Sequence, residues 1–265
     1  MTDPIPIHDR GLLLGDGLFE TILAEHGRLV WFEAHAKRLV AGCAVLGLPP
    51  PDAPRLRQAA LSAIAEAGLE GERAAVRLTW TAGSGGRGLD RPAPVAPRLL
   101  AAASSAPRPA GPVTLATVSV RRNAGSPASR LKTLSYLDNV LARCEARAAG
   151  ADEAVMLNTD GRLACAAAGN LFWIEAGRLS TPALELGVLD GVTRAVVLDL
   201  AAELGLAAAQ VSAGPEALAG AEAVFVTNSL IGIRPASRLD GRAFAPHGLI
   251  DRLARALAVR IMRQG

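Results

Sequence analysis

Arg130-Leu131-Lys132-Thr133-Leu134-Ser135-Tyr136-Leu137-Asp138-Asn139 is the stretch around which the rest of the chain is read. Of 28 basic side chains only Lys37 and Lys132 are lysines. A chain that uses arginine wherever charge alone is needed keeps a lysine for what a guanidinium cannot do, which is to lose its proton and attack a carbonyl as an amine. The plain alternative, favoured by base rates for any single lysine, is a surface cation.

Working outward, Ser135-Tyr136-Leu137-Asp138 has the spacing of a capping box, with Asp in place of the usual Glu or Gln, and predicts a helix to about Ala148. Lys132 then lies just ahead of a helix N-terminus, where the dipole disfavours an ammonium and lowers its pKa from about 10.4. Upstream, Val113 to Val120 reads as a strand, and Ala106-Pro107-Arg108-Pro109-Ala110-Gly111-Pro112 as a linker, since three prolines and a glycine cannot sit inside a helix or central strand. This places a first domain at 1–105, a linker at 106–112 and a second domain at 113–265. Downstream, Ala154–Leu157, Leu163–Ala166 and Leu171–Ile174 read as short strands. Gly191-Val192-Thr193-Arg194 opens a helix to about Leu204, whose first amides and Thr193 hydroxyl make an anion site. Val224–Thr227 is a strand ending at Asn228-Ser229, and a final amphipathic helix runs from about Gly248 to Met262.

In the first half, Phe19–Leu23 reads as a strand, His26-Gly27 as a turn, and Arg28–Trp31 as the return. Phe32, Leu39, Cys43 and Leu46 give a helical spacing that Gly47 ends, with His35 and Arg38 on one face. Asp52 caps a second helix with Leu56, Ala60 and Ile64 as its buried stripe. Arg73–Thr81 alternates as a strand, Gly83-Ser84-Gly85-Gly86-Arg87-Gly88 is a flexible loop, and Leu99–Ala103 closes the half.

Composition narrows the classes. Half the residues are hydrophobic, so the chain is globular, and its 265 residues suffice for a real core. The net charge of +3 is small and the basic residues are scattered with few aromatics beside them, which argues against nucleic acid. No apolar run reaches the roughly 18 residues of a membrane span, and Met1–Pro6 lacks the pattern of a signal peptide. Cys43, Cys144 and Cys165 are expected to be buried free thiols, the four histidines are dispersed, and no metal site is expected. A soluble cytoplasmic protein follows.

Five motifs, in order, resemble the class IV aminotransferases, the fold-type IV pyridoxal 5'-phosphate (PLP) enzymes. They are Phe32-x-x-His35-x-x-Arg38-Leu39, Lys132-Thr133-Leu134, Gly169-Asn170-Leu171-Phe172, Gly191-Val192-Thr193-Arg194 and Val226-Thr227-Asn228-Ser229-Leu230. The resemblance spans nearly the whole chain and implies an α/β (α+β) two-domain fold, with a smaller N-terminal α/β domain and a larger C-terminal mixed-sheet, barrel-like domain carrying helices. It implies that Lys132 is the Schiff-base lysine and proton shuttle. Arg38, Val192 and Thr193 would hold the cofactor phosphate, Asn228 and Ser229 would complete the phosphate or carboxylate site, and Tyr136 would approach the cofactor's phenolic oxygen. A homodimer and a small amino-acid-type substrate are implied as well.

The glycine-rich stretch at 83–88 and Thr227-Asn228-Ser229-Leu230 are similar to the 4-amino-4-deoxychorismate lyase branch, which gives 4-aminobenzoate and pyruvate. The alternative is a transaminase of branched-chain or D-amino acids or of amines. One position departs from the pattern: five residues before Asn170, where the family has the glutamate that pairs with the pyridine nitrogen, stands Cys165. A neutral thiol gives no countercharge, which weakens the electron sink and leaves a third reading, a PLP-binding protein with weak turnover.

Overall fold

The alternation at Phe19–Leu23 extends into a nine-residue strand in the computed structural model, which describes residues 4–263. Met1–Asp3, part of the segment read for a signal peptide, lie outside the described residues. Residues 4–108 with Leu131–Ser135 form one compact unit, and residues 109–130 with 136–263 form a second. The expected division at 106–112 thus differs in one segment, because the five residues around Lys132 belong with the first unit.

In chain order the first unit holds α1 (Arg10–Leu14), β1 (Gly17–Glu25), β2 (Arg28–Leu29), α2 (Phe32–Leu46), α3 (Ala53–Glu66), β3 (Arg73–Thr81) and β4 (Arg98–Ser105). The strands form an antiparallel sheet in the order β2-β1-β3-β4. Helix α2 ends on Gly47, whose left-handed φ of 64° a side chain would strain, and Asp52 caps α3 by accepting from the Arg55 amide at 2.6 Å. Leu18, Ile22, Val76, Leu78 and Trp80 of the sheet pack on Phe32, Ala36, Leu39, Leu56, Ala60 and Ile64 of the two helices. The loop at 83–88 is held, not loose: Arg10, 5 % exposed, donates to the carbonyls of Gly88, Leu89 and Asp90 at 3.3, 2.9 and 2.9 Å.

Strand β1 explains why Lys132 leaves the second half. One edge of β1 pairs with β3 along its length, but β2 covers only Ala24 and Glu25 on the other. Unpaired backbone groups at the start of a buried strand are costly. Residues 132–134 satisfy them: Phe19 N–H donates to the Lys132 carbonyl at 2.9 Å and Leu134 N–H to the Gly17 carbonyl at 3.0 Å, with Leu18 opposite Thr133.

The second unit holds β5 (Val113–Arg122), α4 (Pro127–Arg130), α5 (Leu137–Ala148), β6 (Glu153–Asn158), β7 (Leu163–Ala166), β8 (Asn170–Glu175), β9 (Arg178–Pro182), a 3-10 turn at Leu184–Leu186, α6 (Val192–Glu203), β10 (Ala208–Val211), α7 (Glu216–Gly220), β11 (Ala223–Asn228), β12 (Gly232–Leu239), β13 (Arg242–Ala243) and α8 (Gly248–Arg263). Eight strands run in the order β10-β9-β8-β11-β12-β5-β6-β7, and β13 pairs with β12. The sheet is mixed. Parallel pairs need a crossover, which α5 supplies between β5 and β6 and α6 between β9 and β10. Alternate residues of β6 enter different cores, Val155 and Leu157 one, Ala154 and Met156 the other with Cys165, Ala142 and Ala146.

The capping box expected at Ser135 does not form: Tyr136 occupies the N-cap of α5 and no side chain caps the helix. Pairing of residues 132–134 with β1 keeps the chain extended one residue longer than local sequence suggests. Cys43 and Cys165 are buried as expected, but Cys144 is exposed on α5.

Candidate active site

The register that joins residues 132–134 to β1 puts Lys132 opposite Phe19, and its Nζ lies 4.2 Å from the centre of the Phe19 ring. On β3, Arg77 pairs with Thr21 on the same face of the sheet and sets its guanidinium 3.7 Å from that ring. Arg77 is exposed; Lys132 is partly buried. The Lys132 pKa falls from 10.5 to about 8, chiefly because burial disfavours the ammonium, with Glu20 opposing and Arg38 and Arg77 adding to the fall. The direction matches the expectation from sequence but the cause does not: burial against β1 dominates in place of the α5 dipole.

Glu20 is the group that local sequence reading missed. It follows Leu18 and precedes Ile22 on the face covered by α2, and it is 1 % exposed. Its carboxylate accepts from Arg38 Nε at 2.7 Å and Nη2 at 2.6 Å, and from His35 Nδ1 at 2.8 Å. Because an ionised carboxylate only accepts, the neutral imidazole must carry its proton on Nδ1. Burial opposes ionisation of Glu20, yet the Arg38 charge and the bonds from His35 and Arg38 win and hold it at about 2. Burial also pushes His35 below its ordinary value. A visible signal existed: an acid at the inward parity of an apolar strand, followed by His and Arg three apart on the next helix.

In the second unit, α6 starts at Val192 with Gly191 as N-cap and no capping side chain. A Cβ at Gly191 would come within 2.0 Å of Asn170 Oδ1, so only glycine lets α6 begin this close to β8. Asn170 is fixed by donating to the Leu189 carbonyl at 2.9 Å and pairs with Thr227 in register. The hydroxyls of Thr193 and Thr227, both buried, have no partner among the described residues. An unpartnered buried hydroxyl in the first turn of a twelve-residue helix, beside amides that lack intrahelical acceptors, fits an anionic oxygen ligand such as a phosphate group. Asn228 spends its side chain on the turn that follows β11: Oδ1 accepts from Leu230 and Ile231 N–H, both at 2.9 Å, and Nδ2 donates to the Ala168 carbonyl. Ser229 sits inside that turn, and Tyr136, half-buried, begins α5.

Cys165 lies on β7 opposite Met156, and Arg122 on β5 is opposite Asn158, two residues along β6. Burial pushes the Cys165 thiol up to about 11, and the nearby Arg122 charge does not reverse that. The thiol is therefore neutral at physiological pH, which removes the thiolate as a source of countercharge. Arg122 donates through its Nη atoms to Asn139 Oδ1 at 3.1 Å and to the Ser129 carbonyl, while its buried Nε has no partner among the described residues. Among the described residues there is no group of three His, Cys, Asp or Glu that could hold a metal ion, and no helix long and apolar enough to cross a membrane.

A family model described as amino-transferase class IV matches residues 17–239. A Methanocaldococcus jannaschii protein provisionally named branched-chain-amino-acid aminotransferase is 33% identical over 90% of this chain and 83% of its own. Among solved structures, the 4-amino-4-deoxychorismate lyase from Pseudomonas aeruginosa is 34% identical, with a TM-score of 0.86 over 97% of this chain and 95% of its own. The branched-chain aminotransferase from Thermoproteus uzoniensis superposes with a TM-score of 0.91 at 27% identity, over 98% and 90% of the two chains.

Proposed function

The chain belongs to the class IV aminotransferase family of PLP-dependent enzymes, and from that premise we propose that it is a 4-amino-4-deoxychorismate lyase. Cys165 carries this reading. When bound, the cofactor supplies an electron sink conjugated to the substrate's amine-bearing carbon. If Cys165 takes the place of the family's glutamate at the ring nitrogen, its neutral thiol would leave that sink weak. Elimination tolerates this, because the electron pair passes on to the β carbon–oxygen bond, whereas transamination needs the charge held long enough for reprotonation at the cofactor.

Arg38, the Val192 and Thr193 amides and the Thr193 hydroxyl would hold the cofactor phosphate, Lys132 its aldehyde carbon, and Ser229, beside the turn that Asn228 fixes, a carboxylate or phosphate oxygen. Lys132 takes the proton from the amine-bearing carbon. The β C–O bond breaks, pyruvate departs as its enol, and the ring closes its aromatic system as 4-aminobenzoate. The exposed Arg77 guanidinium, sharing the Phe19 ring with Lys132, offers a fork to a substrate carboxylate. A homodimer would cover the apolar side chains that α1 and the β3–β4 loop expose, Leu12, Leu13 and Leu89 at 60, 60 and 86 %.

Purified protein supplied with PLP is expected to convert aminodeoxychorismate to 4-aminobenzoate, and to transaminate D- and L-amino acids with 2-oxoglutarate weakly. The reverse result establishes the transaminase reading; no product in either assay points to a PLP-binding protein with weak turnover. Cys165→Glu is expected to raise transamination relative to elimination, measured in the same two assays, and an unchanged ratio would place the ring nitrogen elsewhere. Thr193→Val should weaken PLP binding about tenfold or more, since a hydrogen bond to a charged group contributes about 1.5–3 kcal/mol. The cofactor-free variant should unfold no more easily than the parent, because the methyl replaces a hydroxyl that has no partner among the described residues.

A further inference from the structure

We propose that Glu20 is a positioning residue with two targets: its carboxylate fixes the Arg38 fork from behind, and its charge offsets the cations around the Lys132 amine. The geometry lies within one compact unit. Glu20 takes both Nε and Nη2 of Arg38, so the plane and depth of the guanidinium are set by β1 and not by the Arg38 rotamer alone. The groups acting on Lys132 are Glu20 on β1, Arg38 and His35 on α2, and Arg77 on β3, with Phe19 beneath the amine. Of these, Glu20 carries the negative charge. Its removal leaves two guanidinium groups beside a partly buried amine, and like charges disfavour the ammonium. The inference rests on the reading of Lys132 as the lysine that joins the cofactor.

The chain's lysine content makes the test direct. With only Lys37, which is exposed, and Lys132, [ε-13C]lysine labelling of the cofactor-free protein gives two side-chain resonances to titrate. Lys132 is expected to titrate near 8 in the parent. In Glu20→Gln its midpoint should fall by about one pH unit or more, as loss of a near opposite charge predicts. In the double variant Glu20→Gln/Arg38→Gln, which removes both charges, it should return to within about half a unit of the parent. Lys37 should not move. A residue that only stabilises the fold would change melting temperature without this down-and-back pattern, so an unmoved Lys132 midpoint in Glu20→Gln overturns the proposal. Should Glu20→Gln alone fail to fold, the double variant decides: a Lys132 midpoint displaced by more than one unit overturns it. Borohydride trapping of PLP followed by peptide mapping tests the underlying reading separately. A label off Lys132 ends that reading, whatever the titration gives; a label on Lys132 with an unmoved midpoint ends the proposal alone.

Discussion

On the proposed function, Lys132→Ala is expected to lower formation of 4-aminobenzoate by more than about a thousandfold, because one substitution would remove both the amine proposed to join the cofactor and the base proposed to move the proton. Lys132→Arg should be equally inactive: a guanidinium keeps its charge and cannot attack a carbonyl. Loss of activity should come with a more stable cofactor-free protein at neutral pH. Burial lowers the folded-state pKa of Lys132 from 10.5 to about 8, so folding opposes the charged form. A cation with a lowered pKa costs stability below the folded value, and the cost is relieved as pH climbs from about 8 to about 10.5. The parent should therefore gain stability over that interval and the alanine variant should not. Chemical denaturation at pH 7.5 and 10, beside the product assay, checks both halves, and a variant less stable at neutral pH would contradict the burial account.

Arg38→Met is expected to destabilise the protein by about 3–5 kcal/mol at pH 7, the cost of leaving a buried carboxylate without its cationic partner. The pH dependence distinguishes this from simple loss of packing. In the parent, Glu20 is held at about 2 against an ordinary 4.5, so its contribution is complete above about 4.5 and is lost as pH falls toward 2. A shift of that size corresponds to about 3 kcal/mol. Without Arg38, burial raises the Glu20 pKa instead, and the group then destabilises at neutral pH and ceases to do so once protonated. The variant should recover stability on going from pH 7 to pH 5 while the parent does not gain. Urea unfolding at the two values measures this, and curves that stay parallel would mean that Glu20 and Arg38 are not coupled. PLP affinity should fall in the same variant.

Much of this was legible along the chain. Helix α2 runs from Phe32 to Leu46 as its spacing and Gly47 indicate, and Asp52 caps α3 as its position suggests, because capping and periodicity act over one or two turns of backbone. The start of α6 at Val192 was equally readable. Helix α1 was not, since five residues, one of them Gly11, carry too little periodicity and depend on Asp9 accepting from the Gly11 amide. Cys144 escaped for a similar reason: its outward direction on α5 depends on which face the sheet covers.

The sequence by itself determined the family and the cofactor and singled out Lys132 as the candidate lysine, because each rests on residue types at fixed short spacings that local backbone geometry preserves. Only the tertiary structure decided what surrounds that lysine. The open edge of β1 draws residues 132–134 into the first unit, more than a hundred residues away in sequence, and so replaces a helix dipole with burial as the cause of the lowered pKa. The packing of α2 on β1 turns Glu20 inward onto His35 and Arg38, and the packing of α5 on β6 and β7 seals Cys165 as a neutral thiol. Those outcomes depend on desolvation and on charges brought together by long-range pairing, which no local spacing encodes.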